Sequence, residues 1–127
     1  TKMLTKGTLW KQYHIEVGKI MTSELLGLGL LDTADVQNES PDWPAYKKYF
    51  MHGTSHHMGL DTHDYGILTE PMQANMVFTV EPGIYIPAEG FGIRLEDDVI
   101  VQESGEPFNM MRNIPIEVEE IEELMNS

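Results

Sequence analysis

Cysteine is absent from the chain, which rules out disulfide cross-links and any thiolate metal site and agrees with a reducing compartment. Basic residues are scarce. Eight Lys and Arg stand against 21 Asp and Glu, for a formal net charge of -13, so a nucleic-acid backbone or an anionic membrane surface would be repelled. Long apolar runs are missing too. The longest, from Leu25 to Leu31, is far short of a bilayer span, and no basic, apolar and small-residue series marks a signal peptide. These absences lead us to expect a cytoplasmic protein with no nucleic-acid and no membrane partner.

What is present is the composition of a globular protein: 127 residues, 41% apolar and 23% charged. That length supports one domain with a single modest core, burying roughly two-thirds of the surface its unfolded chain exposes. The first residue is Thr1, and TKMLTKGTLW runs straight into a helical pattern. We therefore expect a piece of something longer.

From Thr8 to about Leu30, the apolar residues Leu9, Tyr13, Val17, Ile20, Met21 and Leu28 recur at helical spacing, with Thr8 as the expected N-cap and Gly27 and Gly29 ending the helix. A turn-rich stretch, LDTADVQNESPDWP, follows, and a short helix is expected through Tyr46 to Tyr49. After Phe50 the pattern changes. MVFTV, GIYI and DDVIV read as strands separated by Pro, Gly and Asn turns, implying a curved antiparallel sheet. The chain closes on an amphipathic helix after Pro115, with Ile116, Val118, Ile121, Leu124 and Met125 on one side and glutamates outward. The expected class is α+β.

Chemistry concentrates in three places. HGTSHHMGLDTH carries His52, His56 and His63; EPG carries Glu81 at a strand end; GIRLEDD carries Arg94 and Glu96. Histidine binds a divalent ion as neutral imidazole, and a glutamate can ligate one ion or bridge two. His56, Glu81 and Glu96 are the candidate metal ligands. Alternation along a strand puts Arg94 and Glu96 on one face and Leu95 on the other. A helical HExxH site is excluded, because Gly53 follows His52.

HGTSHHMGLDTHDYG, FTVEPGIYIP and GIRLEDDVIV, in that order, resemble the C-terminal half of the pita-bread metallopeptidases, and among these the Xaa-Pro aminopeptidases (aminopeptidase P) fit best. The likeness covers nearly the whole chain. It implies residues 1–127 as the C-terminal part of a pita-bread catalytic domain, with the first half and an N-terminal domain absent. It also implies two divalent ions, with manganese expected first and zinc or cobalt as alternatives, and a peptide substrate with proline in second position. His56 is similar to the family's histidine ligand, Glu81 to a terminal glutamate ligand that also moves a proton, and Glu96 to the glutamate bridging both ions. His52 and His63 resemble histidines that contact substrate and help transfer protons; Arg94 and Tyr85 match positions that steady ligands and substrate. Two further aspartate ligands of the family have no match here, since Asp32, Asp35, Asp42, Asp97 and Asp98 lie outside its motifs. The isolated chain is accordingly expected to be inactive and to associate with its missing half or with another copy.

Simpler readings stand beside these. His57 should turn to the opposite face from His56, and His14 on the first helix reads as structural. Asp61 and Asp64 read as turn caps or as orienting His63. The methionines Met3, Met21, Met51, Met58, Met72, Met76, Met110, Met111 and Met125 read as core filling. Two other functions stay open: a prolidase, and a non-catalytic pita-bread module that binds peptides or proteins. Retention of His56, Glu81 and Glu96 together favours the enzyme.

Overall fold

The computed structural model describes residues 1–127. Helix α1 (Trp10–Gly27) buries Tyr13, Val17, Gly18 and Leu25, four and then seven to eight residues apart, which places them on one side of the helix. Its start differs from expectation. Leu9 is the N-cap and no side chain caps the helix; Thr8 instead gives its hydroxyl to Met3 O at 3.1 Å, so this Thr is spent on the preceding turn. At the other end Gly29 is left-handed (φ 71°), Gly29 N–H donates to Leu26 O, and Leu30 N–H reaches back to Leu25 O. That is a Schellman ending, which needs a residue without a Cβ penalty at Gly29.

The turn-rich stretch holds a second helix that periodicity did not reveal, α2 (Thr33–Gln37). Asp32 and Asp35 form a reciprocal capping box, each side chain accepting the other's backbone N–H at 2.8 and 3.0 Å. Both aspartates are thereby occupied in local structure. A 3-10 helix (Ala45–Lys48) then lies against α1.

Strands β1 (Val77–Val80) and β2 (Gly83–Ile86) return antiparallel as β3 (Phe91–Arg94) and β4 (Asp97–Ile100), with β5 (Phe108–Asn109) added beside β4. Val77 pairs with Ile100, Val80 with Asp97 and Gly83 with Arg94, so one register runs through both pairs. Leu95 N–H donates to Pro82 O at 3.3 Å on that same register. The four strands are thus one long hairpin, bent at Glu81–Pro82 and Leu95–Glu96, and the bend sets the two glutamates opposite each other.

Alternation divides the sheet by chemistry. Phe78, Val80, Val99 and Val101 enter a core with Leu4, Tyr13, Val17, Phe50 and Met72, whereas Thr79 and Glu81 take the other face. Burial of a side chain such as Phe78 contributes about 1.5–3 kcal/mol. The methionine reading fails for most of the set: Met72 alone is in the core, Met3, Met21 and Met76 pack at its edge, and Met51, Met110 and Met125 are exposed. Helix α3 (Val118–Met125) is amphipathic as expected, yet none of its residues is buried. Val118, Leu124 and Met125 on its apolar side are exposed, as are Leu28, Ile93 and Leu95.

Candidate metal centre

Residues 54–58 run antiparallel along the free edge of β1. Thr79 N–H donates to His56 O at 3.1 Å, Glu81 N–H to Thr54 O at 2.7 Å and Met58 N–H to Val77 O at 3.1 Å, and His57 bridges Phe78. Pairing fixes the faces. His57 goes to the core side, with its ring 4.5 Å from Phe78 and stacked on Trp10 at 6.1 Å, and burial pushes its pKa below the ordinary value against the opposing pull of Asp64. His56 goes to the other side, with Thr79 and Glu81.

The His56 Nδ1 lies 2.9 Å from His57 O. A carbonyl oxygen only accepts, so Nδ1 carries a proton and Nε2 is the nitrogen left to face a ligand. That Nε2 is 3.2 Å from Glu81 Oε1. Two acceptors at such a distance repel unless a proton or a metal ion lies between them. Donors 3.2 Å apart fit adjacent ligands of one ion, since bonds to zinc-like ions are about 2.0–2.2 Å long. Imidazole and carboxylate also suit a divalent cation chemically.

Glu81 is held from several sides. Thr79 Oγ1 donates to Glu81 Oε1 at 3.2 Å while accepting His56 N–H at 3.1 Å, and Arg94 Nη1 is 3.5 Å from Glu81 Oε2. Arg94 Nη2 is also 3.6 Å from Glu96 Oε2, so the guanidinium spans both glutamates. Arg94 and Glu96 share a face as expected, while Leu95 lines the opposite, apolar surface with Ile93 and Pro82. Glu81 is well shielded, with 13% of its side chain exposed against 40% for Glu96.

His63 stacks edgewise on His56, ring centroids 4.2 Å apart, and His52 Nε2 meets the Tyr85 hydroxyl at 2.9 Å. A cleft of about 400 Å³ is lined by His52, Gly53, Ser55, His56, His63, Glu81 and Arg94. Glu96 does not complete a group of three His, Asp or Glu donors around a point, and no such group occurs in the chain. The sequence reading missed Thr79, whose signal is its place two residues before Glu81 on the same strand face. It also missed Ser55, whose hydroxyl is 2.7 Å from the buried Tyr13 hydroxyl and ties the histidine segment to α1.

Residues 1–103 match metallopeptidase family M24. The chain belongs to that family. Among M24-type relatives it is similar to the Xaa-Pro aminopeptidases of Escherichia coli, 40% identical over 98% of this chain, and Haemophilus influenzae, 37% identical over 98%. It spans about 30% of their length. Among solved structures it resembles aminopeptidase PepP of Pseudomonas aeruginosa (TM-score 0.82, 32% identity, 98% of this chain and 30% of that one). It also resembles E. coli aminopeptidase P with the inhibitor Pro-Leu (TM-score 0.77, 38% identity, 96% and 30%). The fold is thus a portion of the M24 pita-bread fold, with small antiparallel sheets and flanking helices. No helix in the chain is long and apolar enough to cross a membrane.

Proposed function

We propose that residues 1–127 are the C-terminal part of the pita-bread catalytic domain of a Xaa-Pro aminopeptidase, which hydrolyses the bond between an N-terminal residue and a following proline. One observation carries the reading: a histidine whose Nδ1 is pinned to a carbonyl aims its Nε2 at a shielded glutamate 3.2 Å away, an arrangement suited to a divalent cation. His56, Glu81 and, opposite Glu81 across the bend, Glu96 would hold divalent ions. The remaining ligands would come from the part of the enzyme that this chain, at 30% of its relatives' length, does not include. Manganese is our expected metal, and the cytoplasm our expected location.

Divalent ions, when bound, supply Lewis acidity toward water and toward the amide carbonyl. The chain's own residues do the rest. Glu81 takes and returns a proton on its carboxylate, which the Thr79 hydroxyl and Arg94 hold in place. His63, stacked on His56, stands where it can donate to oxygen as charge develops, and His52 with Tyr85 positions the proline-bearing side of the peptide. The surface of Leu28, Leu30, Ile84, Ile93 and Leu95 and the bare side of α3 support burial against the rest of the enzyme or a second copy.

Full-length enzyme, freed of metal and reloaded with manganese, should cleave an Xaa-Pro-Xaa peptide and lose that activity in Glu81→Gln. Cleavage that needs no metal, or none with any divalent ion, would refute the assignment.

A further inference from the structure

A second cavity adjoins the histidine cleft and is used by none of the chemistry above. It holds about 310 Å³ and is lined by His14, Val17, Gly18, Tyr46, Lys47, Phe50, Met51, His52 and Gly53, at the lower end of the range of small-ligand pockets, about 300–1,000 Å³. His52 and Gly53 belong to both cavities, so the two adjoin at these residues. The lining contains no Asp or Glu, in a chain where acidic residues outnumber basic ones 21 to 8. Local charge is reversed here relative to the whole molecule.

Lys47 is the cation of this wall. Its ammonium lies 4.9 Å above the Trp43 ring and takes part in no ion pair, while Glu39, which acts electrostatically on Tyr46, is engaged by Ala45 N–H at 2.8 Å. An unpaired ammonium beside a cavity is a ready partner for a carboxylate. His14 sits on the facing helix, kept mainly neutral by burial and secondarily by Lys47, and supplies a ring nitrogen to the same space. Gly18 keeps the cavity open: a Cβ there would come within 2.8 Å of the Tyr46 ring.

We propose that this cavity is a downstream subsite of the peptidase that receives a carboxylate of the substrate, with Lys47 as its counter-charge and Gly18 setting its depth. The proposal rests on the peptidase reading given above. His52, shared between the cavities, is the junction, so a peptide whose proline contacts His52 extends next toward Lys47. The carboxylate is either the C-terminus of a short peptide or an acidic side chain following proline.

Full-length, manganese-loaded enzyme distinguishes these with four substrates: Ala-Pro-Gly as free acid and as amide, and Ala-Pro-Glu-amide against Ala-Pro-Gln-amide. A KM roughly tenfold lower for one acid over its neutral partner is expected, the size of a single charge-assisted hydrogen bond, and the pair that shows it identifies which carboxylate binds. The ratio should fall to about one in Lys47→Gln and return in Lys47→Arg, and Gly18→Ala should reduce it by moving Tyr46 into the space. Equal KM values within both pairs in the wild type, or a ratio untouched by Lys47→Gln, would overturn the subsite alone. Failure to cleave any of the four would overturn the peptidase reading and the subsite with it.

Discussion

His56 and Asp64 share an acceptor: the His57 carbonyl oxygen takes the His56 Nδ1 proton at 2.9 Å and the Asp64 backbone N–H at 3.0 Å. Asp64 in turn closes its own loop, its carboxylate accepting Leu60 N–H at 2.9 Å and Tyr65 N–H at 2.7 Å. The residue before it is His63, which stacks on His56. One carbonyl therefore couples the ring orientation of the candidate ligand to the loop presenting its neighbour. Asp64→Asn should cost about 1 kcal/mol of stability, the scale of one weakened hydrogen bond, yet lower kcat of the full-length enzyme roughly ten- to a hundredfold, as changes beside ligands do. A kcat within twofold of wild type at full metal loading would show that the loop does not orient the histidines.

Gly66 tests the packing of the same loop. A Cβ at this position would lie 1.9 Å from His57 Cδ2, and His57 cannot retreat because Trp10 and Phe78 hold its other side. Gly66→Ala should destabilise the chain by about 1–3 kcal/mol, the usual cost of overpacking, read as a lowered urea midpoint at unchanged slope. An unaltered midpoint would mean that the loop yields without disturbing the His57 stack.

Sequence reading succeeded where short-range rules decide the outcome. Strand period two was enough to set Arg94 with Glu96 against Leu95 and His56 against His57, because adjacent residues on a paired strand have no other choice. It failed where two local solutions compete. Thr8 was a plausible cap, but its hydroxyl is taken by Met3 O; Asp32 and Asp35 read as loop residues, although three-residue spacing also fits a capping box. The methionines illustrate a different limit: apolar character says what can be buried, whereas available partners decide what is. Nothing in the sequence showed that EPG and RLED would face each other, since that depends on the register across a hairpin.

Burial lowers the pKa of His14, assisted by Lys47, and of His57. A histidine held below its unfolded value of about 6.5 stays neutral in the folded chain while the unfolded chain takes up a proton. The sign follows: stability contributed by these groups is complete above pH 6.5 or so and declines as pH falls below it toward the folded value. Urea midpoints at pH 7.5, 6.5 and 5.5 should fall with pH, and fall less in His14→Gln and His57→Phe. Midpoints independent of pH, or rising on acidification, would contradict the assignment of both histidines as half-buried groups held neutral. Both are partly exposed, so the effect is modest.

The guanidinium of Arg94 sits between Glu81 and Glu96, at 3.5 and 3.6 Å, where a cation between the two carboxylates also belongs. Within the 127-residue chain no three donors meet, so manganese should bind weakly and without a two-site isotherm in calorimetric titration. Arg94→Met removes one positive charge that competes with a cation for Glu81, and should tighten manganese binding by the chain roughly two- to fivefold, the size of a half-exposed ion pair. In the full-length enzyme, where further ligands would fix the ions, the same substitution should instead lower kcat, because the guanidinium no longer steadies the Glu81 carboxylate. Tight two-ion binding by the unmodified chain would sink the view that its ligand set is partial, and unchanged affinity in Arg94→Met would show that Arg94 does not compete for the glutamates.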